Sequence, residues 1–379
     1  MAFVLSEEQT MLRDMAKQFF SEQVPVTNLR QLRDDGSEDG FDRDVWKQIV
    51  ELGFAGILIP EEMGGTGFGP MGIGIVMQEA GRTLAASPLY ATAVLGAGMI
   101  MAAGSDSQKK ELLPQVAAGE LLLALAIDET NHHNPANIAM TVDRDGDAFV
   151  LSGEKKFVID GHIANKLILA ARTSGEPGDT QGISAFLIDA DTPGVTITRT
   201  QMVDTRNAAN ISFDAVKVPA NTLLGGADAA YPELENVLDM GRVCLSAEML
   251  GGIETVFDTT LTYLKERKQF EAIIGTFQAL QHRAAEMFCE LEICQSVVLD
   301  ALSALEERRN DIPRAASLAK ARLSEASRLI TNEGVQMHGG IGMTDAVDVG
   351  LFLKRARVQA QMLGDANFHR NRYADLGGY

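Results

Sequence analysis

Arg267-Lys268-Gln269-Phe270, Gln278-Ala279-Leu280-Gln281-His282 and Gln336-Met337-His338-Gly339-Gly340-Ile341-Gly342 carry the reading of this chain. They set polar and small residues beside long apolar-periodic stretches, where a plain helical bundle wants neither. Around them Leu280, Ala284, Met287, Leu291, Cys294, Val298 and Leu305 recur in steps of three, four and seven, an apolar seam suited to a bundle. Pro313 opens a further helix running toward Gln336, and Leu351 to Met362 reads as another. Upstream, from about 119 to 226, the period changes. Phe149–Gly153, Lys156–Ile159, Lys166–Ala170 and Ser184–Ile188 are short β-type runs separated by Gly-rich turns, the rhythm of an antiparallel barrel or sandwich. Before that the chain is helical again. Ser6 is placed as an N-cap, Leu12, Met15, Ala16 and Phe19 share one face, and Trp46 and Ile49 continue the pattern. The expected fold is therefore α+β: an N-terminal helical domain over 1–118, a middle antiparallel β-barrel over 119–226 and a C-terminal four-helix bundle over 227–379.

A chain of 379 residues suits two or three packed units. Its formal charge of -19 argues against nucleic acid or an anionic membrane as partner, and any anionic ligand needs local basic residues. Cys244, Cys289 and Cys294 lack metal-ligand spacing and read as small buried residues of a reducing compartment. The N-terminal MAFVLSEEQT has no basic, long apolar leader pattern, and Ala91 to Gly104 is too short to span a bilayer. The expected location is the cytoplasm. Adjacent His132 and His133 point to opposite faces of an extended chain, so no metal is expected there. Gly64-Gly65-Thr66-Gly67 lacks the lysine and the strand–helix context of a phosphate loop, and is read as a structural turn.

The order of these motifs over the whole chain resembles the acyl-CoA dehydrogenase family. Within it, the altered middle motif and the Gly364-Asp365-Ala366 ending are most similar to the small subunit of pimeloyl-CoA dehydrogenase and related partner subunits of heteromers. The resemblance implies an FAD-dependent enzyme that desaturates an acyl-CoA thioester, in fatty acid or steroid side-chain degradation. It implies an electron-transferring flavoprotein as acceptor, and a homo- or hetero-oligomer with FAD at its interface.

For the dinucleotide end of FAD, the resemblance points to Arg267, Phe270, Gln278, Gln336, Gly339 and Gly340, reaching a neighbour's flavin. A pyrophosphate needs a cation and close backbone approach, which arginine and glycine supply. The alternative is an exposed basic helix end closed by a glycine turn. For the flavin ring it points to Asn134, in the loop following Glu129, and to Phe157 and Ile159, where the family has Trp and Thr. The alternative for the last two is a plain core role. Asp239 and Arg242 match the substrate side, against a helix N-terminal Asp with a surface Arg. The family's catalytic Glu falls at Leu363 or at Gly241 here, so neither position holds a carboxylate. Asp365 is then the candidate base, with a helix cap as its alternative.

Overall fold

The computed structural model describes residues 5–379. Its helices are α1 (Glu7–Gln23), α2 (Val26–Asp34), α3 (Arg43–Glu51), α4 (Pro70–Arg82), α5 (Ala97–Ala103) and α6 (Asp106–Ala117), with a π-helical stretch at Tyr90–Gly96 leading into α5. Strands β1 (Leu123–Ala126), β2 (Thr141–Asp145), β3 (Ala148–Ile159), β4 (Lys166–Arg172), β5 (Ile183–Asp189), β6 (Val195–Gln201), β7 (Asn207–Pro219) and β8 (Leu223–Leu224) follow. The chain then forms α7 (Tyr231–Glu266), a hairpin of β9 (Lys268–Gln269) and β10 (Ala272–Ile273), α8 (Gln278–Glu306), α9 (Ile312–Met337), α10 (Val349–Gln361) and α11 (Ala366–Gly377).

Two compact units result. One combines the segment ending at Gln31 with Pro70–Ala85 and Arg242–Tyr379, and the other holds Leu32–Gly69 and Ala86–Gly241. The helical part before the strands is thus shared between units, and α7 contributes its turns up to Gly241 to the second.

In the second unit the strands run in the order β6-β7-β3-β2-β4-β5-β8, with β1 beside β4. The pairings are antiparallel except β1 with β4 and β2 with β4, which are parallel. This departs from the wholly antiparallel barrel expected. The β2–β3 hairpin lies between β1 and β4 in sequence, so β4 returns in the direction of β1 and β2. Apolar burial is nearly continuous along β4 and β5, whereas β7 alternates through buried Ile211, Phe213, Val216 and Val218, the pattern of a half-covered strand.

In the first unit α9 is central and packs on α8, α10 and α11. Pro313 sits in its first turn, where a missing N–H costs nothing. The α8 seam buries Met287, Leu291, Cys294, Val298 and Leu305. The expected four helices are joined by α11, α1 and α4. Gly81 and Gly251 let α4 and α7 cross closely: a Cβ at Gly251 would lie 1.8 Å from the Gln78 carbonyl oxygen. Ion pairs of Arg355 with Glu248 (2.9 Å) and Arg82 with Glu254 (2.5 Å) tie α7 to α10 and α4. At α1, Ser6 and Gln9 form a reciprocal capping box, and Leu12, Ala16 and Phe19 are buried; Met15, expected on the same face, is 39 % exposed.

Among the described residues no helix is long and apolar enough to cross a membrane.

Candidate functional site

The residues expected at the flavin ring lie in the β unit, around an irregularity in β3. Lys155 pairs with Ile211 of β7 and Val158 with Ala209, so Lys156 and Phe157 together face the single residue Asn210. This is a β-bulge. Regular alternation would put Phe157 on the same face as the fully buried Lys155. The bulge instead turns Phe157 outward, 47 % exposed with φ of 51°, while Val158 returns to the core. The bulge is tied on both sides. The Phe157 N–H donates to Asn210 Oδ1 (3.1 Å), and the Lys156 N–H to the Asp128 carbonyl (2.7 Å). Lys155 Nζ donates to the Ile127 carbonyl (3.0 Å) and to Glu129 (2.7 Å). Burial pulls the Lys155 ammonium below its ordinary range, opposed by the Glu129 charge.

Glu129 also accepts the N–H groups of Ala139 and Met140, fastening the loop that precedes β2. Within it Asp128 accepts the Asn134 N–H (3.2 Å) and contacts His133 Nδ1 (2.9 Å). Asn134 is therefore held by its backbone and exposed. Phe157 is not a core residue, and Ile159 is half-buried opposite Ala208.

The residues expected at the dinucleotide end all lie in the first unit, and all are exposed: Arg267, Phe270, Gln278, Gln336, Gly339 and Gly340. The α7 end and the glycine turn are joined through Tyr263, whose ring stacks on His338 at 4.3 Å and whose hydroxyl donates to the His338 carbonyl. One turn later the Arg267 N–H donates to the Tyr263 carbonyl. Phe270 stands at the tip of the β9–β10 hairpin, 87 % exposed and at positive φ, with its ring edge-on to Phe277. A Cβ on Gly339 or Gly340 would meet nothing within 4 Å, so their backbone is open to close approach. An arginine, an exposed aromatic face, two amides and open glycine backbone fit an aromatic, anionic dinucleotide such as FAD. They form an outward face and not an enclosed pocket, which suits a ligand shared with another chain.

Asp239 and Arg242, expected on the substrate side, are 2 % and 0 % exposed in the body of α7, which corrects the alternative of a helix N-terminal Asp with a surface Arg. The Gly241 carbonyl accepts a 2.9 Å hydrogen bond from Tyr90 on the π-helical stretch. Arg242 Nε reaches the Leu363 carbonyl (3.4 Å), which also accepts His369 Nε2–H (2.9 Å), while Lys320 Nζ donates to the Gly364 carbonyl (3.0 Å). Three buried donors thus hold a turn in which Leu363 and Gly364 have φ of 53° and 104°. Burial foremost, then Lys320 and Arg242, pushes His369 down to about 2. Burial, aided by Arg242 and opposed by Asp365, brings Lys320 to about 7. Asp365 is the N-cap of α11, accepting the Phe368 N–H at 2.8 Å, and lines a polar crevice with Arg328, Arg357, Asn367 and Arg370. Its carboxylate serves the alternative role read from the sequence, whatever further role it has.

Sequence reading missed Lys155, Asn210, Lys320, His369 and Tyr90. Each acts through a main-chain carbonyl or amide, distant in sequence for all but His369, whose partner Leu363 lies six residues back, and no local pattern announces that. The Gly64–Gly67 segment is a turn tied back to the residues before it, with the Thr66 and Gly67 N–H groups donated to the Gly56 and Ile59 carbonyls. Cys244 and Cys294 are buried with thiols pushed up to about 12 by burial, while Cys289 is exposed, against expectation. Among the described residues no His, Cys, Asp and Glu group suited to a metal occurs.

Family models match along the chain: the acyl-CoA dehydrogenase N-terminal domain over 6–120, the middle domain over 124–216 and the C-terminal domain over 233–376. The chain belongs to the acyl-CoA dehydrogenase family. It is 32% identical to the probable acyl-CoA dehydrogenase YngJ of Bacillus subtilis, over 98% of both chains. It is 29% identical to CarC, a subunit of the caffeyl-CoA reductase-Etf complex of Acetobacterium woodii, over 93% of both. A solved variant of the Tcur3481-Tcur3483 steroid ACAD superposes with a TM-score of 0.88 at 32% identity, over 98% of both chains.

Proposed function

We propose that this chain works in an assembly as an FAD-dependent dehydrogenase that introduces an α,β double bond into an acyl-CoA thioester. When bound, FAD supplies the acceptor for the hydride leaving the β-carbon. The chain's own residues divide the remaining work. Phe157 packs against the flavin ring, with the Ile159 backbone and Asn134 beside it. Arg267, Gln278, Gln336 and the Gly339–Gly340 backbone hold the pyrophosphate and adenine end of a flavin seated on the adjacent subunit, and Phe270 covers it. Asp239 and Arg242 support the substrate side, Arg242 through the Leu363 carbonyl. Asp365 is the candidate that takes the α-proton.

The exposed face that carries Arg267, Phe270 and Gly339–Gly340 is the observation behind this reading, because the same segments leave several large apolar side chains in water, Phe270, Phe277, Ile341 and Met343. Dilution tests it: FAD should leave as subunits dissociate, and monomers retaining full FAD overturn it.

A second reading has a specific motive. Asp365 spends Oδ1 on capping α11, and Leu363 and Gly241 stand where the family has its Glu. In that reading the chain is the non-catalytic member of a heteromer, and a different chain brings the base. The steroid ACAD relative, with two chain names, is consistent with it. An electron-transferring flavoprotein is the proposed acceptor, as the name of the CarC complex suggests. The free cysteines agree with a cytoplasmic setting. Fatty acid or steroid side-chain degradation is the proposed context.

A further inference from the structure

We infer that Asn210 is a positioning residue for the flavin ring: it holds the β3 bulge that presents Phe157. The inference rests on the reading of Phe157 as the ring-facing residue. It starts from parity. Along β7, Ala209, Ile211 and Phe213 are buried and Asn210 and Ser212 exposed, so Asn210 stands on the outer face. Along β3, Lys155 and Val158 are both buried although three positions apart, and the extra residue between them is what turns Phe157 to that same outer face. A bulge leaves one backbone group without a ladder partner. Here that group is the Phe157 N–H, and its acceptor is the Asn210 side chain at 3.1 Å, not a strand carbonyl.

The neighbouring tethers, from Lys155 to Ile127 and Glu129 and from Lys156 to Asp128, fix the bulge on its other flank. They do not fix the φ of Phe157, which lies in the left-handed region that phenylalanine disfavours. With Asn210 removed, the strand is free to regularise, and a one-residue change of register sends the ring to the opposite face. The Asn210 side chain is exposed, so its removal leaves the core intact.

The test compares Asn210→Ala, Asn210→Asp and Phe157→Ala by three measurements: amide hydrogen exchange across residues 156–159 in the FAD-free protein, FAD affinity, and the position of the bound flavin's visible absorption band. Loss of one such bond predicts for Asn210→Ala about 10-fold faster exchange at the Phe157 amide and about 10-fold weaker FAD binding. Its band should shift in the same direction as that of Phe157→Ala. Asn210→Asp keeps an acceptor oxygen and should restore the exchange rate and the band. If Phe157→Ala perturbs FAD while Asn210→Ala does not, Asn210 positions nothing, although Phe157 keeps its role. If Phe157→Ala itself leaves FAD affinity and band unchanged, the ring-facing reading fails and this inference with it.

Discussion

Replacing Lys155 with Met probes how the loop over residues 127–140 is built. Lys155 is 0 % exposed, and its ammonium donates to Glu129 at 2.7 Å and to the Ile127 carbonyl at 3.0 Å. Removing one member of a buried pair leaves the other charge uncompensated and typically costs about 3–5 kcal/mol. The Glu129 side chain is 12% exposed and keeps the amides of Ala139 and Met140, which places the loss at the lower end, about 3 kcal/mol. Lys155→Met combined with Glu129→Gln removes the stranded charge and should recover roughly 1–2 kcal/mol of that. Trp46, the single tryptophan, reports on the same unit: it is 6% exposed, and its indole donates to the Gly119 carbonyl. Urea unfolding of the FAD-free protein, followed by Trp46 fluorescence, gives the differences. A loss under about 1 kcal/mol for the single variant, or a double variant no more stable than the single, refutes the pinning of this loop by a buried ion pair.

Four other outcomes are expected. Because the folded-state pKa of His369 lies below its unfolded value, its contribution is fully present above pH 6.5 and is lost as pH falls through and below it, at about 1.4 kcal/mol per pH unit. His369→Gln, which can still donate to the Leu363 carbonyl, should flatten the urea-midpoint profile between pH 6.5 and 5 (about 2 kcal/mol), and parallel profiles for both proteins reject this. Arg267→Gln should weaken FAD binding roughly 10- to 100-fold through loss of a charge-assisted bond, measured by flavin fluorescence; unchanged affinity removes Arg267 from the site. Asp365→Asn keeps a helix cap and should change stability little, while slowing flavin reduction by acyl-CoA about 10²- to 10⁴-fold if Asp365 is the base; undiminished reduction ends that assignment. Leu363→Glu, placed on the turn held by Arg242, Lys320 and His369, should accelerate reduction by the purified chain alone, and no gain indicates that the turn does not aim position 363 at the substrate.

The sequence announced its helices where the chemistry of an element is local. Ser6 begins α1, Pro313 begins α9, and the Met287–Leu305 spacing marks the buried face of α8. The β-unit was legible as short runs, but not its parallel pairings, because direction is set by the connection between β1 and β4. The residues proposed for the dinucleotide were legible as candidates because arginine, aromatic and glycine residues crowd short segments. The supports were not. Lys155 and Lys320 look like ordinary charged residues of a strand and a helix until distant carbonyls are folded against them. Asn210 gains its role only from a bulge formed by another strand. Leu363 marks where the resemblance and the chemistry part: three buried donors hold its turn, yet the side chain it carries has no proton acceptor.

The most direct test of the central claim is anaerobic mixing of the protein, purified in its native assembly, with acyl-CoA thioesters while the flavin absorbance is followed. An FAD-dependent acyl-CoA dehydrogenase should be isolated with flavin, and a thioester of suitable chain should bleach it. An assembly without flavin, or one whose flavin stays oxidised with aliphatic, dicarboxylic and steroid side-chain acyl-CoA alike, contradicts the account.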